Sequence, residues 1–385
     1  MKRVYMDHAA TTPVDSRVME DMAPYFSREF GNASSLYHHG QQASLAMQAA
    51  RKRAASLINA EAGETVFTSG GTESDNLALI GAARAMREKG NHIITTSIEH
   101  HAVLETCRFL EEQGFRVTYI DVDRQGMVSP EDVRHAMTGK TTLVSVMHVN
   151  NEIGTIEPLA GIGKVCGERG VLFHTDAVQG FGKVPIDVKA MGIDLLTASS
   201  HKIYGPKGVG LLYIRKGVSI EPLIHGGNHE GGMRAGTENV AGIVGFGKAC
   251  EIASHEMKGE AERLTALRKR LVREVLRIPG SHLNGHPEKR LPGNANFRFD
   301  GIEGEALVLR LDAAGVEAST GSACSSRELK PSHVLTSIGL KPEQAHGSLR
   351  VTMGRHTTEK DVGHFLKVLP GVIADLRKIS PFWRD

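Results

Sequence analysis

The sequence predicts an α/β protein: a large domain with a mainly parallel seven-stranded sheet between helices, and a small α+β domain beside it. Three observations carry this. Short apolar runs alternate with segments of helical spacing from residue 65 to residue 214, the pattern of strands joined by crossover helices. The links between them are short. Beyond a long helical stretch the alternation stops and a few short strands and helices follow.

In order, Val4 opens a short strand that runs into a turn ending at Pro13. Helical spacing covers 14–30, a loop follows at 31–35, and an alanine-rich amphipathic pattern covers 40–58. Strands are expected at 65–68, 92–97, 116–122, 142–149, 171–175, 194–198 and 209–214. Helices fall between them, starting near Thr72 and at 103–113, 130–137 and 159–169. A glycine-rich stretch, 226–237, precedes one long helical pattern over 239–277. The remainder reads as strands 294–299 and 348–353 with helices 304–314, 332–338 and 359–379, completed by the N-terminal strand. These patterns divide the chain into a large domain, 13–256, and a small one formed by 1–12 and 257–385.

With 46 basic and 44 acidic residues, the net charge of +2 gives no electrostatic case for a nucleic-acid or anionic-membrane partner. No apolar run approaches the roughly 20 residues that cross a bilayer, and no apolar segment follows the N-terminal Lys2 and Arg3. The expected location is cytoplasmic. Cys107, Cys166 and Cys250 sit in helical runs and read as small buried hydrophobes. Cys324 differs. It lies in Ser319-Thr-Gly-Ser-Ala-Cys-Ser-Ser-Arg327, a run with little to pack, so an accessible, mobile and reactive thiol is expected there.

The residues that could do chemistry gather at expected strand ends. Ser69-Gly70-Gly71-Thr72 stands between a strand and a helix, where first-turn N–H groups and the helix dipole favour an anion. A plain helix cap explains it equally well. His100 ends a second strand, where it could lie over a ring or move protons, and Asn150-Asn151 end a third. Asp176 ends a fourth and could pair with a protonated pyridine nitrogen. A fifth ends in Ser199-Ser200-His201-Lys202, where a fixed, desolvated lysine suits imine formation with an aldehyde. In one parallel sheet this set would hold a phosphorylated, protonated, imine-forming ring. No His-Glu-x-x-His zinc pattern occurs, and Gly139-Lys140-Thr141 lacks the first glycine of a nucleotide-binding loop.

Over essentially its whole length the sequence resembles the cysteine desulfurases of the NifS/IscS-like group, in the class V aminotransferase superfamily of fold-type I pyridoxal phosphate enzymes. The resemblance rests on ordered segments: Met6-Asp-His-Ala-Ala-Thr-Thr-Pro13, Thr68-Ser-Gly-Gly-Thr-Glu-Ser74, Glu99-His100, His148-Val-Asn-Asn-Glu-Ile-Gly154 and Asp176-Ala-Val-Gln179. It continues in Ser199-Ser-His-Lys-Ile-Tyr-Gly-Pro-Lys-Gly208, Arg234-Ala-Gly-Thr237, Gly321-Ser-Ala-Cys-Ser325 and Leu349-Arg350. It implies pyridoxal 5'-phosphate as cofactor, with Lys202 forming the imine, His100 stacking on the ring, Asp176 on the pyridine nitrogen and Gln179 on the ring hydroxyl. Gly71, Thr72, Ser199 and His201 would hold the phosphate, with Thr237 reaching over from the second subunit of a homodimer. Asn151 would contact the cofactor as well as the substrate, and Asn151 and Arg350 would bind the substrate carboxylate, Arg350 through the planar fork that matches it.

The implied reaction takes sulfur from L-cysteine onto Cys324 and releases alanine. The Cys324 persulfide would then serve iron–sulfur cluster assembly, through an IscU/NifU-like scaffold protein, or tRNA thiolation. No firm metal ligand is implied, although Cys324 could ligate a nascent cluster transiently with a scaffold. Ser200 stands where many relatives have glycine, and the short C-terminus leaves open how a scaffold docks. Two rivals remain at this point: a selenocysteine lyase of the same fold, and a non-catalytic carrier of sulfur or a cluster.

Overall fold

The computed structural model describes residues 3–321, 331–381 and 383. The chain runs β1 (Val4–Tyr5), α1 (Ser16–Met22), α2 (His38–Ser56), β2 (Thr65–Thr68), α3 (Gly71–Ala85), β3 (His92–Thr96) and α4 (His101–Glu112). It continues with β4 (Arg116–Ile120), α5 (Pro130–Ala136), β5 (Thr141–Ser145), α6 (Leu159–Arg169), β6 (Leu172–Asp176), β7 (Leu195–Ser199) and β8 (Gly210–Ile214). Then come α7 (Val240–Val275), β9 (Ser281–Asn284), β10 (Asn294–Phe299), α8 (Gly304–Ala313), β11 (Val316–Glu317), α9 (His333–Ser337), α10 (Pro342–His346), β12 (Ser348–Thr352) and α11 (Glu359–Ile379).

Seven strands form the central sheet in the order β2-β8-β7-β6-β5-β3-β4. Neighbours from β7 to β4 are parallel, and β8 runs antiparallel to both β7 and β2. The exception follows from the connection, because the turn after Lys202 is too short for a crossover helix and returns the chain directly. Alternate residues feed opposite faces of the sheet. Leu196 and Leu211 join a core with Phe67, Phe181 and Phe246, while Leu195 and Leu212 join another with Leu79, Ile93 and Leu143.

A third core lies under the three-stranded sheet β12-β10-β9, with Leu271, Phe297, Leu349 and Phe365 at its centre. The 36-residue α7 serves both regions: Phe246 and Cys250 pack against the large sheet, and Leu264 and Leu271 against the small one. Cys107, Cys166 and Cys250 are buried, as their helical settings imply.

Three expectations are refined. Helix 14–30 ends as α1 at Met22, because Pro24 has no N–H to continue the ladder and opens a 3-10 turn instead. The N-terminal strand joins the core of the small domain through Val4 and the following Met6, but outside its three-stranded sheet. It pairs in parallel with β11, and only Asp7 beyond it bridges to Thr352. Strand β9, Ser-His-Leu-Asn, is too polar to read as a strand and is fixed by its antiparallel pairing with β10. Among the described residues no helix is long and apolar enough to cross a membrane.

The Phe246 ring is fully buried between those of Phe67 and Phe181, at 6.4 and 5.8 Å between centroids. Phe246→Ala is therefore expected to cost about 3–5 kcal/mol, read as an earlier urea transition. An unchanged midpoint would contradict this packing.

Candidate active site

A cavity of about 300 Å³ lies beyond the carboxyl ends of β6 and β7, at the N-termini of α3 and α4, the place where open parallel sheets hold ligands. It is lined by Gly71, Thr72, His100, Asn151 and Asp176, and by Gln179, Ser199, His201, Lys202 and Arg350. Ten residues singled out from the sequence thus meet at one site. Thr237 does not reach it. On its own chain it lines a separate depression with Ser69, Gly208 and Arg234. Cys324 lies outside the described residues.

At the floor, β7 delivers Ser199 and the following turn delivers Lys202. The Lys202 Nζ donates to the carbonyls of Ala9 and Ala10, at 2.6 and 2.7 Å. Gln179 Nε2 donates to the same Ala9 carbonyl at 3.0 Å, and Gln179 Oε1 is buried with no partner among the described residues. His201 Nδ1 lies 3.0 Å from Thr11 Oγ1, and the Thr12 N–H and hydroxyl both donate to the His201 carbonyl. The chain just past β1 therefore straps the lysine turn in place.

One wall suits an anion. Helix α3 is 15 residues long and is N-capped by Gly70, whose lack of a side chain leaves the first N–H groups available. A Cβ on Gly71 would come within 2.8 Å of Val178 Cγ2, so glycine keeps this cradle open.

The opposite wall suits a carboxylate. Arg350 on β12 is buried, donates through Nη1 to the Asn151 carbonyl at 2.9 Å and through Nη2 to Asp7 Oδ1 at 2.7 Å, and its Nε has no partner among the described residues. Its fork is positioned by backbone and by one acid, with donor capacity remaining.

Burial sets the charges. It pushes the Asp176 carboxyl up to about 6, against the Val178 N–H it accepts at 2.9 Å and the charge of Lys202. Asp75, on α3 and facing the same cavity, is driven well above the usual carboxylate range by burial and then by Asp176. Two dry carboxyls do not both ionise, and Asp176, with its N–H donor and nearby cation, is the one that carries charge at neutral pH. Burial, then Lys202, lowers His100 and His201 each to about 4, so both rings are neutral. His100 also caps α4, its Nδ1 accepting the Ala102 N–H at 3.1 Å.

Sequence reasoning missed Asp7, Ala9 and Ala10 as site-forming residues. Those of Ala9 and Ala10 act through main-chain carbonyls, which leave no trace in residue identity. Asp7 could have been paired with Arg350 only by knowing that β12 lies beside it.

The geometry fits a phosphorylated pyridine aldehyde on four counts: an open anion cradle, an orphaned Gln179 oxygen, a charged buried acid and a fixed lysine. The family model "Aminotransferase class-V" matches residues 4–365. Over 387 aligned residues the chain is 56% identical to "Cysteine desulfurase IscS" of Clostridium botulinum strain Hall, covering 100% of this chain and 98% of that one. Its identity to the protein of the same name from Methanosarcina thermophila is 56% over 380 residues, covering 99% and 94%. Among solved structures it superposes on a "NifS-like protein" with a TM-score of 0.91 at 39% identity, covering 97% and 100% of the two chains. It superposes on "SspA in complex with cysteine" with a TM-score of 0.81 at 39% identity, covering 92% and 100%.

Glu99, beside His100, gives a pH test. Burial raises its carboxyl from 4.5 to about 8, although Thr96 Oγ1 and the Met147 N–H donate to Oε1. The folded state therefore binds a proton that the unfolded chain has released, and stability is lost as pH rises from about 4.5 to about 8. Glu99→Gln keeps the acceptor and removes this loss. Its thermal midpoint should match the parent near pH 4.5 and exceed it increasingly toward pH 8, and a constant difference would contradict the assignment.

Proposed function

This chain belongs to the aminotransferase class-V family, and from that premise we propose that it is a pyridoxal phosphate-dependent cysteine desulfurase. It takes sulfur from L-cysteine, releases L-alanine and carries the sulfur as a persulfide on Cys324. The observation that carries the reading is the meeting of Lys202, Asp176, Gln179, His100 and Arg350 around one cavity. Full-length identity to proteins named cysteine desulfurase IscS supports it.

The cofactor, when bound, supplies an electron sink that draws charge from the substrate α-carbon. The chain's residues supply the rest. Thr72, Ser199, His201 and the first-turn N–H groups of α3 would hold the phosphate, and Thr237 of a second copy would complete the site in a homodimer. Asp176, ionised at neutral pH, would keep a proton on the pyridine nitrogen, and Gln179 would hydrogen-bond the ring hydroxyl. His100, held neutral, would cover the ring without adding charge. Arg350 and Asn151 bind the substrate carboxylate and so orient the α-hydrogen and the sulfur. Lys202 Nζ would anchor the cofactor and, as a free amine, would take the α-proton from the substrate and pass it on.

The Cys324 thiolate then attacks the substrate sulfur. The carbon–sulfur bond breaks, a sulfur–sulfur bond forms, and the carbon fragment gains a proton to become alanine. The persulfide passes to an acceptor, an IscU/NifU-like iron–sulfur scaffold protein or a tRNA-thiolating partner. A selenocysteine lyase of the same fold would not need Cys324. A non-catalytic carrier would need neither the lysine nor the ring-binding set.

Lys202→Ala should abolish the yellow imine absorbance and borohydride labelling of the protein. Cys324→Ala should keep the absorbance and lose at least about 99% of L-cysteine desulfuration, as removal of a nucleophile does. Full activity in Cys324→Ala would favour the lyase. A colourless parent protein, unlabelled by borohydride after supply of the cofactor, would favour the carrier.

A further inference from the structure

The turn that carries Asn151 is held from two sides. On the large-sheet side, Asn150 Oδ1 accepts the N–H groups of Glu152 and Ile153, both at 2.9 Å, and Asn150 Nδ2 donates to the Ile98 carbonyl. On the other side, two asparagines of β10 reach across from the small sheet. Asn294 Nδ2 and Asn296 Nδ2 both donate to the Glu152 main-chain carbonyl, at 3.3 and 3.2 Å. Neither asparagine is more than 1% exposed, so an unpaired amide here would be costly.

The direction of this relay follows from chemistry. A guanidinium can only donate, so Arg298 Nη1, 2.8 Å from Asn284, faces its oxygen. The Asn284 amide nitrogen then faces Asn296 Oδ1 at 2.7 Å, and the Asn296 nitrogen is left to face Glu152. In register, Asn296 on β10 pairs with Arg350 on β12, and Arg350 Nη1 donates to the carbonyl of Asn151, next to Glu152. The same strand pair thus sets the Arg350 fork and clamps the turn beneath Asn151.

We propose that Arg298, Asn284 and Asn296 form a polarised relay in which Asn296 is the positioning residue that holds Asn151 against Arg350 for the substrate carboxylate, and Asn284 fixes only the direction of the Asn296 amide. This rests on the reading that Asn151 and Arg350 bind that carboxylate. The relay acts on substrate binding and leaves the lysine side of the cavity untouched.

The orientation gives a test that a merely structural role would not pass. In Asn284→Asp, one carboxylate oxygen still accepts from Arg298, and the other forces Asn296 to turn its nitrogen around and present Oδ1 to the Glu152 carbonyl. In Asn284→Ala, Asn296 keeps its donation to Glu152. The holoenzyme of each variant is assayed with L-cysteine for KM and kcat, with the cofactor absorbance and thermal midpoint as controls. Asn284→Asp and Asn296→Asp should each raise KM about tenfold with kcat within about twofold, and Asn284→Ala should shift KM by less than about twofold.

The relay is overturned if Asn284→Ala raises KM as much as Asn284→Asp, or if Asn296→Asp folds and leaves KM unchanged. Should Asn296→Asp not fold, the Asn284 pair decides alone. Arg350→Leu separates the two readings. If it raises KM while the asparagine variants do not, only the relay fails; if it leaves KM unchanged, the carboxylate assignment fails and the relay with it.

Discussion

The site depends on a short length of backbone just after β1. The carbonyl of Ala9 accepts from both Lys202 Nζ and Gln179 Nε2, Ala10 takes a second bond from the lysine, and Asp7 takes one from Arg350. Thr11 and Thr12 add bonds to His201. Residues 7–12 therefore touch a group on each side of the cavity, the lysine turn of the large sheet and the arginine of the small one. Their partners are far away in sequence, from Gln179 to Arg350. Its backbone carbonyls can accept from a cationic or neutral lysine alike, which holds Nζ near the cavity without committing it to one protonation state.

Two cores meeting at one site also explains the division of labour. The large sheet offers strand ends and a helix N-terminus, features suited to an anion and a ring. The small sheet offers one guanidinium, suited to a carboxylate. The long α7 packs into both cores and keeps them in fixed relation. Dryness then does the electrostatic work: burial leaves His100 and His201 neutral and raises Asp75, while Asp176 keeps its charge through a backbone donor and a nearby cation.

Much of this could be read from residue order. Strands such as β3, β5 and β7 are wholly buried and so appear as unbroken apolar or threonine-rich runs, and the alternation with helices announces a parallel sheet. His100, Asp176 and Lys202 were legible because each follows such a run. What stayed hidden has a common cause. The polar β9 is a strand only because β10 pairs with it, and β1 chooses β11 over the larger small-domain sheet through contacts more than 300 residues apart in the chain. The strap of residues 7–12 and the asparagine relay act through carbonyls and amide direction, which residue identity does not encode.

The central claim joins an amine that activates a bound amino acid to a thiol that strips it. The most direct measurement is the mass of the Cys324-containing peptide from the holoenzyme, quenched shortly after L-cysteine is added, with alanine quantified in the same sample. The expected result is one added sulfur atom on that peptide, removable by a reducing thiol, with alanine released in matching amount. Alanine formed with an unmodified Cys324 peptide, and no added sulfur at any early time, would contradict it.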